Sequence, residues 1–468
     1  MAITTLLRPY QLEIGRAVLD SVRHRRGLTF TVEIARQGGK NELSAQLEAL
    51  LLVLHMVQGG TAVKAAPTFA PQALISLERL KARLHEAGFA PHMAVEHGHI
   101  VRLGRARQAF LSAEPAANVV GATADLLIEI DEAQDVDPDK YQKDFRPMGA
   151  TANVTTVLYG TPWDGRTLLE QQAQDNLALE RRDGVRRHFR FDWEAVARHN
   201  PDYARYVLAE RERLGGDHPL FRTQYLLQPL EGGRGLFSRQ QLAWLQGSHP
   251  RRHLPLEGAV YVAGVDVAGE AESGVESDAW VRTHQPRRDS TVATIARVTP
   301  ATQAAGLAGS QVEVVEQVWW TGRNLATAAV DLAGLLGRTW RCRSVVVDAT
   351  GMGAGVASVL GRLLGGGVVQ PFVFTAPGKS RLGFDLLAAV NGQRLKLYAA
   401  DGSPEPAECF RQLELAQARY RRGQQMDFFV DEREGHDDFV MSLALTLAAA
   451  DRYEPRNARG RSSPDGQS

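Results

Sequence analysis

The segment from Thr29 to Leu54 restricts this chain more than any other. Thr29-Phe30-Thr31-Val32-Glu33-Ile34 reads as a buried strand, and Ala35-Arg36-Gln37-Gly38-Gly39-Lys40-Asn41 follows it as a Gly-rich turn. Leu43, Leu47, Leu50, Leu51 and Leu54 then recur at helical spacing. A strand, a glycine turn, a lysine and a helix in that order can cradle a triphosphate. The glycines let backbone N–H groups close on phosphate oxygens, the helix N-terminus adds positive potential, and Lys40 reaches the β and γ oxygens. The pattern G-x-x-x-x-G-K-[ST] is met in part: Ile34 stands at the first glycine and Asn41 at the magnesium-binding hydroxyl. Alone, the loop fits either a phosphate cradle or an ordinary Gly-Gly turn with an exposed lysine.

A second element separates those readings. Leu126-Leu127-Ile128-Glu129-Ile130-Asp131-Glu132-Ala133-Gln134 is an apolar strand ending in adjacent carboxylates. In nucleotide hydrolases the first such carboxylate holds Mg²⁺ and the second polarises the attacking water. Solvated acids at a strand end are common, but their occurrence after Lys40, in this order and separation, points to ATP hydrolysis with Mg²⁺. Val154–Tyr159 runs into Gly160-Thr161-Pro162, where Thr161 can sense the γ-phosphate. Upstream, Tyr10 and Gln11 either stack on and read an adenine, or begin a helix that packs on the sheet.

The second half carries a different set of acids. Val262–Asp266 and Val345–Asp348 are apolar strands that each end in one aspartate, and Asp437 and Asp438 sit directly before an apolar helix, Phe439–Ala450. Asp289 lies just ahead of a strand at Thr291–Val298. A carboxylate at a buried strand end is costly unless a charge compensates it. Several converging from different elements suit two Mg²⁺ or Mn²⁺ ions, one activating water and the other stabilising the departing 3′ oxygen of a phosphodiester. Singly, each aspartate also reads as a cap or a salt-bridge partner, Asp438 as an N-cap. Their order is that of an RNase H-like nuclease. His436 reads as a local structural or outer residue of this set.

A chain of 468 residues holds two or three domains. The strand runs Leu28–Ile34, Ala62–Ala66, His99–Leu103, Leu126–Ile130 and Val154–Tyr159 alternate with helical stretches, as in a parallel α/β sheet. The expected organisation is an ATPase domain at 1–230 with a helical subdomain near 191–228, a linker at 231–257 around Gly232–Gly235, a nuclease domain at 258–450 and a disordered tail at 451–468. A polar stretch between Ala268 and Asp289 reads as an insertion. Lys+Arg and Asp+Glu balance at 54 each, so nucleic-acid contact must come from local patches. Arg181–Arg190, Arg251-Arg252 and Arg419–Arg422 are candidates to grip DNA, or else solvated faces. Two cysteines, Cys342 and Cys409, build no disulfide framework, the start is no signal peptide, and no apolar run spans a bilayer. The expectation is a soluble intracellular protein.

ATPase loop, Asp-Glu-Ala-Gln, Gly-Thr-Pro, linker and RNase H-like acids, in that order, resemble the large subunit of tailed-phage terminases, from about Leu6 to Ala450. Ala-Arg-Gln-x-Gly-Lys-Asn resembles the deviant loop of that family. The resemblance implies a P-loop, RecA/ASCE-like ATPase followed by an RNase H-like nuclease. It implies Lys40 on phosphate, Asp131 on magnesium, Glu132 as base, Thr161 in a coupling motif and Arg36 as a phosphate-contacting arginine. In the nuclease it implies Asp266, Asp348 and one or both of Asp437 and Asp438 as metal ligands, with Asp289 assisting. It further implies double-stranded DNA, a portal protein and a small terminase subunit as partners, and a homo-oligomeric ring on the procapsid portal in the host cytoplasm, with Arg146 as candidate for an arginine acting on a neighbouring subunit. A helicase-nuclease would need a second nucleotide-clamping domain, for which the interval from Thr161 to Ala259 is too short. A non-catalytic DNA-binding assembly protein is the other alternative.

Overall fold

The computed structural model describes residues 7–117, 119, 121–230, 235–268, 290–300, 310–421 and 423–453. The chain divides into two compact units. The first comprises 1–211, 219–232 and 420–424, and the second 212–218, 233–419 and 425–468.

The first unit is built on an eight-stranded sheet in the order β3-β4-β5-β2-β6-β7-β1-β8. Its strands are β1 (Thr29–Ile34), β2 (Gly60–Ala66), β3 (Met93–Glu96), β4 (Ile100–Leu103), β5 (Ala106–Ser112), β6 (Leu127–Ile130), β7 (Thr155–Gly160) and β8 (His188–Phe191). From β5 to β8 every neighbouring pair is parallel, while β3, β4 and β5 pair antiparallel at one edge. The sheet is therefore mixed rather than wholly parallel. β7 lies between the strand leading to the loop, β1, and the strand leading to the carboxylates, β6. The helix Lys40–His55 follows the loop and buries Leu43, Leu47 and Leu51. Its buried polar side chains include Ser44 and Glu48. These meet Lys64 of β2 and Glu129 of β6, which pair across the two strands.

The second unit has a six-stranded sheet, β13-β12-β9-β10-β11-β14. Here β9 is Val260–Asp266, β10 Ser290–Thr299, β11 Gln311–Thr321, β12 Ser344–Asp348, β13 Val369–Phe372 and β14 Leu395–Lys396. An antiparallel meander, β9-β10-β11, continues through parallel β12 and β13, which is the sheet order of the RNase H-like class. On one face Tyr261, Ile295, Leu332, Leu336, Trp340 and Leu360 form an apolar core. A two-stranded hairpin, β15 (Gln417–Arg421) and β16 (Gln425–Phe429), precedes the final helix, Asp438–Asp451.

The expected linker meets a different structure. Within the expected linker, residues 231–234 lie outside the described residues, but the chain from Gly235 onward is packed into the second unit. Leu236 N donates to Ala416 O, and Ser238 caps the helix Arg239–Leu245 through a reciprocal pair with Gln241. The cause is local: a Ser-x-x-Gln capping box starts a helix where the glycines suggest only a break. The expected insertion after Ala268 and the tail from 454 onward lie outside the described residues.

The final helix approaches the sheet closely. Ser442 Oγ lies 3.0 Å from Gly264 O and 2.9 Å from Thr294 Oγ1, and Thr446 Oγ1 donates to Thr294 O at 3.2 Å. A Cβ at Gly264 would collide with the backbone of Ser442, Leu445 and Thr446. Backbone cannot move aside as a flexible side chain does. We expect Gly264→Ala to destabilise the second unit by about 3 kcal/mol, the upper end of ordinary overpacking. Thermal melts of the variant against the parent protein will show this as a clear loss of midpoint, and an unchanged midpoint would refute the close approach.

Candidate functional site: a phosphate loop and a buried aspartate set

The turn after β1 is held by three side chains from two helices, Pro9–Arg23 and Pro201–Leu214. Tyr10 OH donates to Gly38 O at 2.6 Å and Gln11 Nε2 to Gly39 O at 2.9 Å. Tyr203 OH donates to Arg36 O at 2.8 Å. Gly39 adopts φ +98°, and a Cβ there would meet the Gln11 amide, so this position needs glycine twice over. Gln11 Oε1 accepts from Arg8 N at the start of the helix Pro9–Arg23. Tyr10 is buried beside Phe191, with ring centroids 5.3 Å apart. Both side chains thus brace the loop's backbone. Arg36 and Gln37 are exposed, Gly38 is buried and Asn41 is half-buried on the first turn of the helix.

Lys40 and the carboxylates come together. Lys40 Nζ lies 3.5 Å from Glu132 Oε1. Glu132 has a left-handed backbone, φ +44°, a strained conformation for a side-chain-bearing residue and one that clusters at functional sites. Its Oε2 accepts from Gln134 Nε2 at 2.7 Å. Burial opposes the charge of Glu132, but Lys40 outweighs it, with help from Gln134, and holds the carboxyl below its usual range. Asp131 is buried, and burial pushes it up in spite of the Lys64 charge. Thr161 is buried at the end of β7, its N–H donating to Gln134 Oε1 at 3.3 Å. Gln134 therefore joins Glu132 to Thr161, a role that no sequence pattern singles out.

In the second unit the aspartates share one end of the sheet. The β12/β9 register runs up to Val347↔Val265, so Asp348 and Asp266 follow side by side at the ends of parallel strands. Val292 of β10 pairs with Asp266, and two residues earlier Ser290 N donates to Asp438 Oδ2 at 3.2 Å. Asp266, Asp348 and Asp438 are all buried. Asp437 is half-buried at the N-cap and makes no side-chain capping bond, so the cap reading belongs to it by position only. Asp289 lies outside the described residues. Among the described residues no three His, Cys, Asp or Glu side chains are gathered tightly enough to enclose an ion as they stand. The donor chemistry nevertheless fits a hard divalent cation: buried carboxylate oxygens from a strand pair and a helix start at one sheet end.

No family model and no curated protein matches the sequence. Solved structures do. The large terminase of a thermophilic bacteriophage superposes with a TM-score of 0.55 at 10% identity, covering 94% of this chain and 98% of that one. The same terminase in complex with ADP gives 0.53 at 11% identity, over the same shares. The chain has the fold of a phage large terminase. The HK97 bacteriophage large terminase covers 95% of each chain at 16% identity, with a TM-score of 0.39, too low to argue from. The large-terminase fold joins an ATPase-type and an RNase H-like sheet, and both are present here.

Four arginines of the candidate runs have internal partners. Arg186 pairs with Glu13 and lies over Phe189, Arg187 pairs with Asp183, and Arg190 Nε is 2.6 Å from Glu33 Oε2. Arg251 meets Glu316 at 2.6 Å and Glu405 at 3.1 Å. These side chains stabilise their own unit. Arg146 is exposed and donates to Gln142 at 2.8 Å. Among the described residues no helix is long and apolar enough to cross a membrane.

Burial pushes the Asp348 carboxyl up, against the backbone N–H and hydroxyl of Thr350, which favour its charge. An acid with a raised folded pKa burdens the fold above that pKa, and the burden disappears as pH falls below the unfolded value near 3.9. Without divalent metal, Asp348→Asn should therefore melt at a higher temperature than the parent at pH 7 to 8, and the difference should shrink toward pH 4. A variant that melts lower across the whole range would refute an uncompensated carboxylate.

Proposed function

We propose that this protein is a genome-packaging terminase large subunit, a double-stranded DNA translocase with its own endonuclease. The observation that carries the reading is the meeting of Lys40 and Glu132 at 3.5 Å, across the end of a sheet in which β7 separates their strands. The loop lysine and the strand-end carboxylates are remote in sequence, and a nucleotide-hydrolysing arrangement needs them together.

Lys40, at the first turn of its helix, neutralises the β and γ oxygens of ATP. Asp131 would hold Mg²⁺, which when bound would supply further positive charge to the phosphates. Binding of the phosphates draws Lys40 from Glu132, which frees that carboxylate to orient water and accept its proton. Arg36 faces the phosphates from the exposed loop, and Thr161 reports on the γ position through Gln134. Tyr10, Gln11, Gln37, Gly38, Gly39 and Asn41 shape the cradle. In the nuclease unit Asp266, Asp348 and Asp438, with Asp437 and Asp289 as further candidates, would hold two Mg²⁺ or Mn²⁺ ions, which would supply an activated water and charge stabilisation for the leaving 3′ oxygen. The partners in this reading are a portal protein and a small terminase subunit, with several copies forming a ring on the procapsid in the host cytoplasm and Arg146 a candidate to act on a neighbouring copy. A helicase-nuclease is disfavoured, because between Thr161 and Ala259 the described residues hold helices and the single strand β8.

Two sets of variants test this. Lys40→Ala should lose ATP binding or turnover, and Glu132→Gln should bind ATP yet hydrolyse it on the order of 10²-fold more slowly, as expected when transition-state charge stabilisation is removed. Phosphate release at parental rates in either variant would sink the assignment and favour a non-catalytic assembly protein. Asp266→Asn should abolish plasmid linearisation with Mg²⁺ or Mn²⁺ while leaving basal ATP hydrolysis near that of the parent, because losing a ligand misplaces a metal. Asp438→Asn should cut less than Asp437→Asn, since Asp438 is the buried one of the two; the reverse order would exclude Asp438 as the principal ligand.

A further inference from the structure

Residues 420–424 come after the nuclease strands in sequence, yet they group with the first unit. Four separate attachments hold them there. The ring of Tyr420 packs edge-on against Trp163, with centroids 5.6 Å apart, and Trp163 Nε1 donates to Arg421 O at 3.0 Å. Gly423 N donates to Asp135 Oδ1 at 3.1 Å, and Gln224 Nε2 donates to Gln424 Oε1 at 2.7 Å. The last two bonds end relays that begin at the nucleotide site.

The first relay starts at Arg36. Gln224, almost wholly buried, accepts Arg36 N on its backbone oxygen at 2.8 Å and Arg36 Nη1 on its side-chain Oε1 at 2.6 Å. Its amide can keep that oxygen aimed at Arg36 only while its NH₂ has an acceptor on the other side, and Gln424 Oε1 is that acceptor. The second relay starts at Glu132. Gln134 Nε2 donates to Glu132 Oε2 at 2.7 Å and to Asp135 Oδ2 at 3.3 Å, while the other oxygen of Asp135 takes Gly423 N. The loop arginine and the proposed base are thus each held by a glutamine, and both glutamines lead to the same short segment.

We propose that Tyr420, Arg421, Gly423 and Gln424 complete the nucleotide site as a positioning segment, fixing the Arg36 guanidinium through Gln224 and the Glu132 carboxylate through Gln134 and Asp135. The segment touches neither phosphate nor water itself. It acts by narrowing the orientations of two side chains that do, and misplacing a reacting group by about 1 Å slows turnover by up to about 10²-fold. This inference rests on the nucleotide reading above.

The test uses the full chain and separates binding from chemistry. Gln424→Ala removes the acceptor for Gln224, Gln424→Glu retains an acceptor oxygen, and Asp135→Ala removes the other relay. Each is measured for kcat and KM of ATP hydrolysis and for thermal midpoint. Gln424→Ala and Asp135→Ala should lower kcat about tenfold, with KM within about threefold of the parent and midpoints close to it, as for groups that matter in the transition state alone. Gln424→Glu should restore most of the rate. Parental kcat in both alanine variants, or equal loss in Gln424→Ala and Gln424→Glu, overturns the positioning role while leaving the nucleotide reading intact. A parent protein with no ATP turnover at all overturns the nucleotide reading first, and this inference with it.

Discussion

A lysine buried among carboxylates sets the geometry of the first unit. Lys64 Nζ donates to Ser44 Oγ at 2.7 Å and lies 3.2 Å from Glu48 Oε1, while Ser44 also reaches Glu129 Oε1 at 2.8 Å. Burial works against the Lys64 charge, yet Glu48, Asp131 and Glu129 together hold its pKa above the ordinary lysine range. Burial and the neighbouring Glu48 push Glu129 up as well, well above the carboxylate range, against the pull of Lys64. Groups like these tolerate little displacement, because separating them would leave desolvated charge without a partner. The cluster therefore pins the helix that begins at Lys40 to β2 and β6, and fixes the loop lysine over the strand that ends in Asp131.

The second unit solves a similar problem differently. Its aspartates sit at strand ends and at a helix start, and the helix must lie close to the sheet for Asp438 to arrive beside Ser290. Gly264 permits that approach, and Ser442 and Thr446 satisfy the sheet's carbonyls along it. The apolar core around Trp340 and Leu360 supports the strands that carry the acids.

Sequence patterning makes much of this legible and leaves specific parts hidden. β1, β2, β4, β6, β7, β9, β10 and β12 are visible because each is an apolar run bounded by turn residues. β5 is not, since Ala106–Ser112 carries arginine and glutamine within the strand, and β8 is only four residues long among arginines. The strand-end acids can be read from position alone. The bracing of the loop by Tyr10 and Gln11 cannot, because the same residues suit an adenine pocket equally well. Gln224 lies in a short helix with no pattern, and its partner Gln424 is far away in the chain. Composition marks a charged run, not the carboxylates that neutralise it, so Arg186, Arg187, Arg190 and Arg251 read as surface in the sequence and lie in ion pairs in the structure.

The first unit is discontinuous in sequence, closing only when residues 420–424 are in place. A ribosome making this chain from its N-terminus releases the loop, the carboxylates and most of their sheet early, while Asp135 and Gln224 wait for Gly423 and Gln424. Domains generally fold as they emerge, N-terminal first. Here the earlier-made unit reaches its final form after nearly all of the later-made one has been translated, so a chain cut short within the second unit also lacks the last pieces of the first.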